Sequence, residues 1–166
     1  TAFQKQTRWQ TNFYGFTTDL KKTQVQNIKF GISGVIKHLT IASHATIGNA
    51  TNVSYLDSTV QYKQTGSVQS FSLNTSLNLA FGKWHFDHRI LYQTNSANEA
   101  LNIPQVTLMS SIYYQNTIFK KALLARIGAD FYYQSKNKAY RYIASAAAFA
   151  LTNENAGNNP IADIFI

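Results

Sequence analysis

The chain has 166 residues, 15 Lys plus Arg against 7 Asp plus Glu, a formal net charge of +8, two Pro, no Cys and a mean hydropathy of −0.22. Charged residues make up 13% against 45% hydrophobic and 14% aromatic, about half the usual soluble share of roughly 25%, so 16 Thr, 13 Ser, 15 Asn and 12 Gln stand where ions would. A disulfide framework and a thiolate metal site are excluded, no apolar run approaches the roughly 18 residues of a membrane helix, and the aromatic content is too high for a disordered chain.

In chain order, period-two alternation marks the elements. Residues 3–14 set Phe3, Trp9 and Phe13 against Gln4, Gln6, Arg8, Gln10 and Asn12, with Lys5 interrupting the apolar row. From Ile28 the apolar set is Ile28, Phe30, Ile32 and Ile36, opposite Lys29, Ser33 and Lys37, and the pattern is expected to run through a bulge to His44. Residues 53–63 set Leu56, Val60 and Tyr62 against Asp57, Thr59, Gln61 and Lys63. The clearest row is 69–81, where Phe71, Leu73, Leu77, Leu79 and Phe81 alternate with Ser, Asn and Ala and only Thr75 breaks the apolar face. Next, 84–92 opposes Trp84, Phe86, Ile90 and Tyr92 to His85, Asp87 and Arg89, and 122–134 opposes Leu123, Ala125, Ile127, Ala129, Phe131 and Tyr133 to Arg126, Gly128, Asp130 and Tyr132. A strand over 106–115 lies between them, and a last one after Pro160 is still running at Ile166. Strands of this kind have one dry and one wet face, and several exceed the five or six residues usual in globular sheets.

The connections alternate in length. Gly82 with Lys83 and residues 116–121 are short, whereas 15–27, 93–105 and 135–160 are long and polar. An up-and-down order then collects the short turns at one rim and the long loops at the other, as in outer-membrane barrels. In hydrocarbon every backbone N–H and C=O must be paired internally, which among sheets only a closed barrel achieves. The expected fold is therefore all-β, an antiparallel up-and-down transmembrane β-barrel over 1–166 as a single domain, with about eight strands. Aromatics near the strand ends (Phe13 and Tyr14, Phe81 and Trp84, Tyr113 and Tyr114, Tyr132 and Tyr133) are the expected interfacial girdles. A soluble lipocalin-like ligand-binding barrel, apolar inside and polar outside, is the alternative.

The stretch 103–136, IPQVTLMSSIYYQNTIFKKALLARIGADFYYQSK, resembles the family called putative porins in Bacteroidetes outer membranes. The later Phe149, Leu151, Asn153, Glu154, Gly157, Asn158, Pro160, Asp163 and Phe165 have the spacing of that family's next loop and strand, whereas 143–150 departs from it in an alanine-rich run. The resemblance implies an outer-membrane barrel that passes small hydrophilic solutes and ions passively, with no catalytic residues and no cofactor. Members of the family are longer, and eight closed strands leave an interior that side chains fill, so this chain is expected to be a fragment of a larger barrel.

The wet faces supply the candidate pore lining: Arg8, Lys29, Lys37, Asp57, Lys63, His85, Asp87, Arg89, Arg126 and Asp130. Six of these ten are cations, so a mild preference for anions is expected, unless Asp87 with Arg89 and Arg126 with Asp130 close into ion pairs that merely hold the wall. His85, Asp87 and His88 do not make a metal site, because His88 points to the opposite face. Ser110, Ser111, His85 and Asp87 lie on different strands without a hydrolase motif. The basic groups Lys21–Lys22, Lys120–Lys121 and Lys136, Lys138 and Arg141 fall in loops and turns, where lipopolysaccharide phosphates or solubility suit them better than nucleic acid. Outer-membrane lipids, small hydrophilic solutes and further barrel subunits or copies are the expected partners. A plugged or structural barrel within a larger assembly is the second functional reading.

Overall fold

A computed structural model describes residues 2–8, 21–59, 61–144 and 147–166. Its twelve strands are β1 (Ala2–Arg8), β2 (Thr23–Ile36), β3 (Leu39–Thr51), β4 (Ser54–Leu56), β5 (Tyr62–Gln64), β6 (Ser67–Phe81), β7 (Trp84–Asn95), β8 (Val106–Ile118), β9 (Leu123–Gln134), β10 (Asn137–Ile143), β11 (Ala148–Ala156) and β12 (Ile161–Phe165). Eight of them form one sheet in the order β1-β2-β3-β6-β7-β8-β9-β12, every pairing antiparallel. The sheet is open, with β1 and β12 at its edges. The remaining strands are two small hairpins, β4–β5 and β10–β11, carried on the long connections.

The apolar rows foreseen for 28–36, 69–81, 84–92 and 122–134 align across the sheet. Ile28, Ile47 and Phe71 stand opposite one another, as do Phe86, Ile112 and Ala129, and Leu79 faces Phe86. No second layer covers this face among the described residues: Ile32 is 76% exposed, Ile36 67% and Phe81 71%. Two pairs of polar side chains within it meet each other. Ser43 and Thr75 hydroxyls lie 2.9 Å apart, and Ser110 Oγ lies 2.7 Å from His88 Nδ1, which confirms that His88 points away from His85 and Asp87.

On the opposite face, side chains crowd. A Cβ added to Gly31 would meet the His44 ring at 2.6 Å, one on Gly48 would meet Asn27 and Ser70, and one on Gly128 would meet Tyr113 at 2.5 Å. Gly34, on the apolar face, has nothing within 4 Å. Convergence on one side and open space on the other is the packing of a curved sheet whose polar face is concave.

Two expectations are corrected. The pattern from Ile28 does not continue through a bulge to His44: Lys37 and His38 form a two-residue turn, with Ile36 opposite Leu39, so β2 and β3 are separate strands. Lys37 takes φ 52° in that turn, as Gly82 takes φ 62° in the equivalent β6–β7 turn. The left-handed region costs a residue with a Cβ about 1–2 kcal/mol, and no Gly, Asn or Asp signals the turn. Residues 53–63 are not one strand of the sheet either. They form most of β4–β5, whose strands are three residues each. Eight strands are found in the sheet, as expected, because one foreseen strand is two and another lies outside it. The aromatic residues 9, 13 and 14 and Val60 lie outside the described residues.

The turns are staggered. Leu39 stands opposite Leu79, two residues short of the β6 end at Phe81, and Trp84 stands opposite Tyr114, four residues short of the β8 end at Ile118. If the three turns share one plane, the slip is about 1.5 residues per strand, a slant of about 45° for strands about 3.3 Å per residue long and about 4.8 Å apart. The row from Phe71 to Phe81 then rises about 23 Å, close to the outward apolar band of about 25 Å in membrane barrels.

Candidate functional site

The register builds the polar wall row by row. One row carries Asn78, Asp87, Ser111, Asp130 and Asp163 on five successive strands. The row on the short-turn side carries Ala80, His85, Tyr113, Gly128 and Phe165, and the row on the other side carries Ser76, Arg89, Met109, Tyr132 and Ile161. Tyr113 organises the cluster. His85 stacks on it with centroids 4.8 Å apart and 6° between planes, Phe165 lies 6.3 Å away, and the Arg126 guanidinium sits 5.4 Å above it. Its Cβ and Cα, with the Ile112 carbonyl, crowd Gly128 so closely that a Cβ there would collide with them, and its hydroxyl donates to Asp87 Oδ2 at 3.2 Å.

The expected pairs Asp87–Arg89 and Arg126–Asp130 do not form. Arg126 and Asp130 are four positions apart on one extended strand, about 13 Å, and Arg126 Nε instead donates to Gln115 Oε1 at 2.7 Å. Asp130 accepts from Ser111 Oγ at 2.5 Å, and Asp87 is turned toward Tyr113. Asp163, directly opposite Asp130, was missing from the sequence-based set, because only the pairing of β12 with β9 reveals that neighbour. The described strands thus place Lys29, Arg89 and Arg126 on this face against Asp87, Asp130 and Asp163. Arg8 stands opposite Thr23 in register.

Lys37, Asp57 and Lys63 are not on the wall. Lys37 is in a short turn, and the other two close the β4–β5 hairpin at the opposite rim. Lys63 Nζ lies 2.7 Å from Asp57 Oδ2, the only salt bridge among the described residues. Asp57 Oδ1 accepts from the Thr59 amide, the Thr59 hydroxyl and the Gln61 amide at 2.9, 2.7 and 2.9 Å. The Lys63 hydrogen bond first, and these donors after it, hold the Asp57 carboxyl well below the usual carboxylate range. The same bond raises Lys63.

The foreseen short turns, Gly82–Lys83 and that near 116–121, observed at 119–122, share one rim with the unforeseen Lys37–His38 turn, and the foreseen long connections 93–105 and 135–160 share the other with 52–66, most of which the sequence pattern presents as a strand. Of the foreseen connection 15–27, residues 15–20 lie outside the described residues and 23–27 belong to β2. The long ones are tied together. Gln64 Nε2 donates to the carbonyls of Lys21 and Asn52 at 2.6 and 3.2 Å. Asn102 bonds Lys138 in both directions, at 2.6 and 3.0 Å. Buried apolar side chains gather here, Leu56, Ala100, Ala150 and Leu151 in the connections and Val68, with 0% exposure, at the polar-face end of β6. The connections therefore fold over the concave side at this rim. Of the aromatic pairs expected as girdles, Phe81 and Trp84 stand opposite each other on the apolar face, where Trp84 meets Tyr114 edge-on at 5.5 Å, whereas alternation splits the other two described pairs and gives Tyr113 and Tyr132 to the wall.

No curated protein matches the chain. The family model described as "putative porin" matches residues 4–166, which agrees with the apolar outer face, the polar inner face and the segregated connections, and the chain belongs to this putative porin family.

Proposed function

We propose that the chain forms part of the wall of an outer-membrane channel through which small hydrophilic solutes and ions diffuse, without catalysis. The observation that carries this reading is the concave face. It is polar across seven strands, rich in Ser, Asn and Thr, and backed by an uncovered apolar face suited to hydrocarbon. The edges at β1 and β12 require partners in lipid. Eight strands closing on themselves would leave an interior filled by side chains, so a conducting pore needs further strands beside these.

Lys29, Arg89 and Arg126 with Asp87, Asp130 and Asp163 on the described wall support weak selectivity. Neutralising the cations alone, as Arg89→Gln with Arg126→Gln, should shift the reversal potential of the full-length protein in a planar bilayer toward cations. Asp87→Asn with Asp130→Asn should shift it the other way. Reversal potentials that ignore both changes would remove these residues from the conducting path. A second reading, a plugged or structural barrel, is favoured by the hydrogen-bonded connections over the concave rim; it predicts no stable conductance steps from folded, inserted protein. Basic residues of that rim, Lys21, Lys22, Lys136, Lys138 and Arg141, suit lipopolysaccharide phosphates.

A further inference from the structure

The short-turn rim is chemically unlike the other. Lys37, Lys83, Lys120 and Lys121 lie in its three turns, which contain no Asp or Glu, whereas Asp57, Glu99 and Glu154 lie among the long connections. The sequence groups Lys120–Lys121 with the other basic loop pairs, yet the topology puts them at the opposite end of the barrel.

Three of these lysines also hold backbone positions that disfavour them. Of the seven described non-glycine residues with positive φ, Lys37 (52°), Phe119 (51°), Lys120 (54°) and Lys121 (74°) lie in short turns, and Asn52, Ala147 and Asn158 lie in the long connections. The equivalent β6–β7 position is a glycine, so a strain-free solution exists in the same rim and is not used in the other two turns. Where strain persists, the side chains are a reason to look for function. Apolar and aromatic groups flank them: Phe119 is 74% exposed, Phe81 71% and Trp84 49%, and Lys83 Nζ lies 6.0 Å from the Tyr114 ring. Aromatics at the edge of the apolar band with lysines just beyond it match a membrane interface bearing negative headgroups.

From this geometry we infer that the short-turn rim binds anionic phospholipid headgroups of the leaflet it enters, the lysines meeting phosphates and Phe119 entering the acyl boundary. Short turns face the periplasm in barrels of this kind, so the leaflet is the phospholipid one, and lipopolysaccharide is left to the long connections. The inference rests on the membrane-barrel reading but not on conduction.

The test uses the full-length protein refolded into phosphatidylcholine vesicles with a minority of phosphatidylglycerol, and spin-labelled forms of both lipids. The wild type should select phosphatidylglycerol by about threefold at low salt, an advantage that shrinks as screening sets in at about 0.5 M NaCl. Lys37→Gln, Lys83→Gln, Lys120→Gln and Lys121→Gln together should abolish it, and the four Arg replacements should keep it. Equal affinity for the two lipids in the wild type overturns the inference, as does a preference that survives the four Gln changes or vanishes only when Lys21, Lys22, Lys136 and Lys138 are neutralised. A protein that inserts into neither vesicle overturns the barrel reading instead.

Discussion

Asp57 shows how one residue can be read correctly as chemistry and wrongly as position. Its spacing from Lys63 and its alternation with Leu56 suggest a strand face, whereas its four contacts at 2.7–2.9 Å close the tip of a hairpin. Nothing in the spacing distinguishes an extended six-residue separation from a folded one. The closure has a pH consequence. Asp57 titrates below its ordinary 3.8, so its contribution is fully present above about pH 4 and is lost only as pH falls through the lower folded value. Lys63 titrates above its ordinary 10.5, so its contribution is lost only as pH rises past that higher value. Hydrogen-exchange protection of the Thr59 and Gln61 amides, corrected for intrinsic rates, should therefore stay level between about pH 4 and pH 10 and fall in Asp57→Ala. Protection that fades between pH 6 and pH 4 would contradict the assignment. Lys37 failed to announce its turn for a different reason: the residue in the left-handed position is one whose intrinsic preference argues against it.

At the scale of elements, the strong alternation of β6, β7 and β9 was legible because hydrocarbon on one side and polar groups on the other impose the same period along the whole strand. The wall cluster was half legible. His85, Asp87, Arg89, Arg126 and Asp130 could be assigned a face, but Tyr113, Gln115, Phe165 and Asp163 acquire their places only when register sets strands side by side, and register is a property of pairs. Thr75, which breaks the apolar row in the sequence, is answered by Ser43 across the ladder. Membrane-facing hydroxyl pairs of this sort are coupled by about 0.6 kcal/mol. A double-mutant cycle of Ser43→Ala and Thr75→Val, measured by urea unfolding from vesicles, should return a coupling of about that size, while additive single changes would mean that each hydroxyl satisfies itself on its own backbone.

For the whole molecule, the staggered turns determine more than their number. A slip of about 1.5 residues per strand implies strands inclined by about 45° to the barrel axis. Polarised infrared dichroism of the full-length protein in oriented bilayers should give an average strand tilt near that figure; strands within about 20° of the normal would be incompatible with three turns in one plane. The overall plan, long loops at one end and short turns at the other, could be foreseen from connection lengths, and it held because splitting one foreseen strand in two and removing another from the sheet leave the parity unchanged. The tying together of the long connections could not, since Gln64 and Asn102 are unremarkable polar residues until their partners are known.

The same inclination reshapes the acidic row. Asp87, Asp130 and Asp163 share a line perpendicular to the strands, and such a line is itself oblique to the axis, descending about 3.4 Å with each strand crossed. The three carboxylates are therefore steps of a spiral stair and not a collar: an ion travelling along the axis would be handed from one charge to the next over about 10 Å of depth, meeting a graded field where a ring at a single level would have made a barrier.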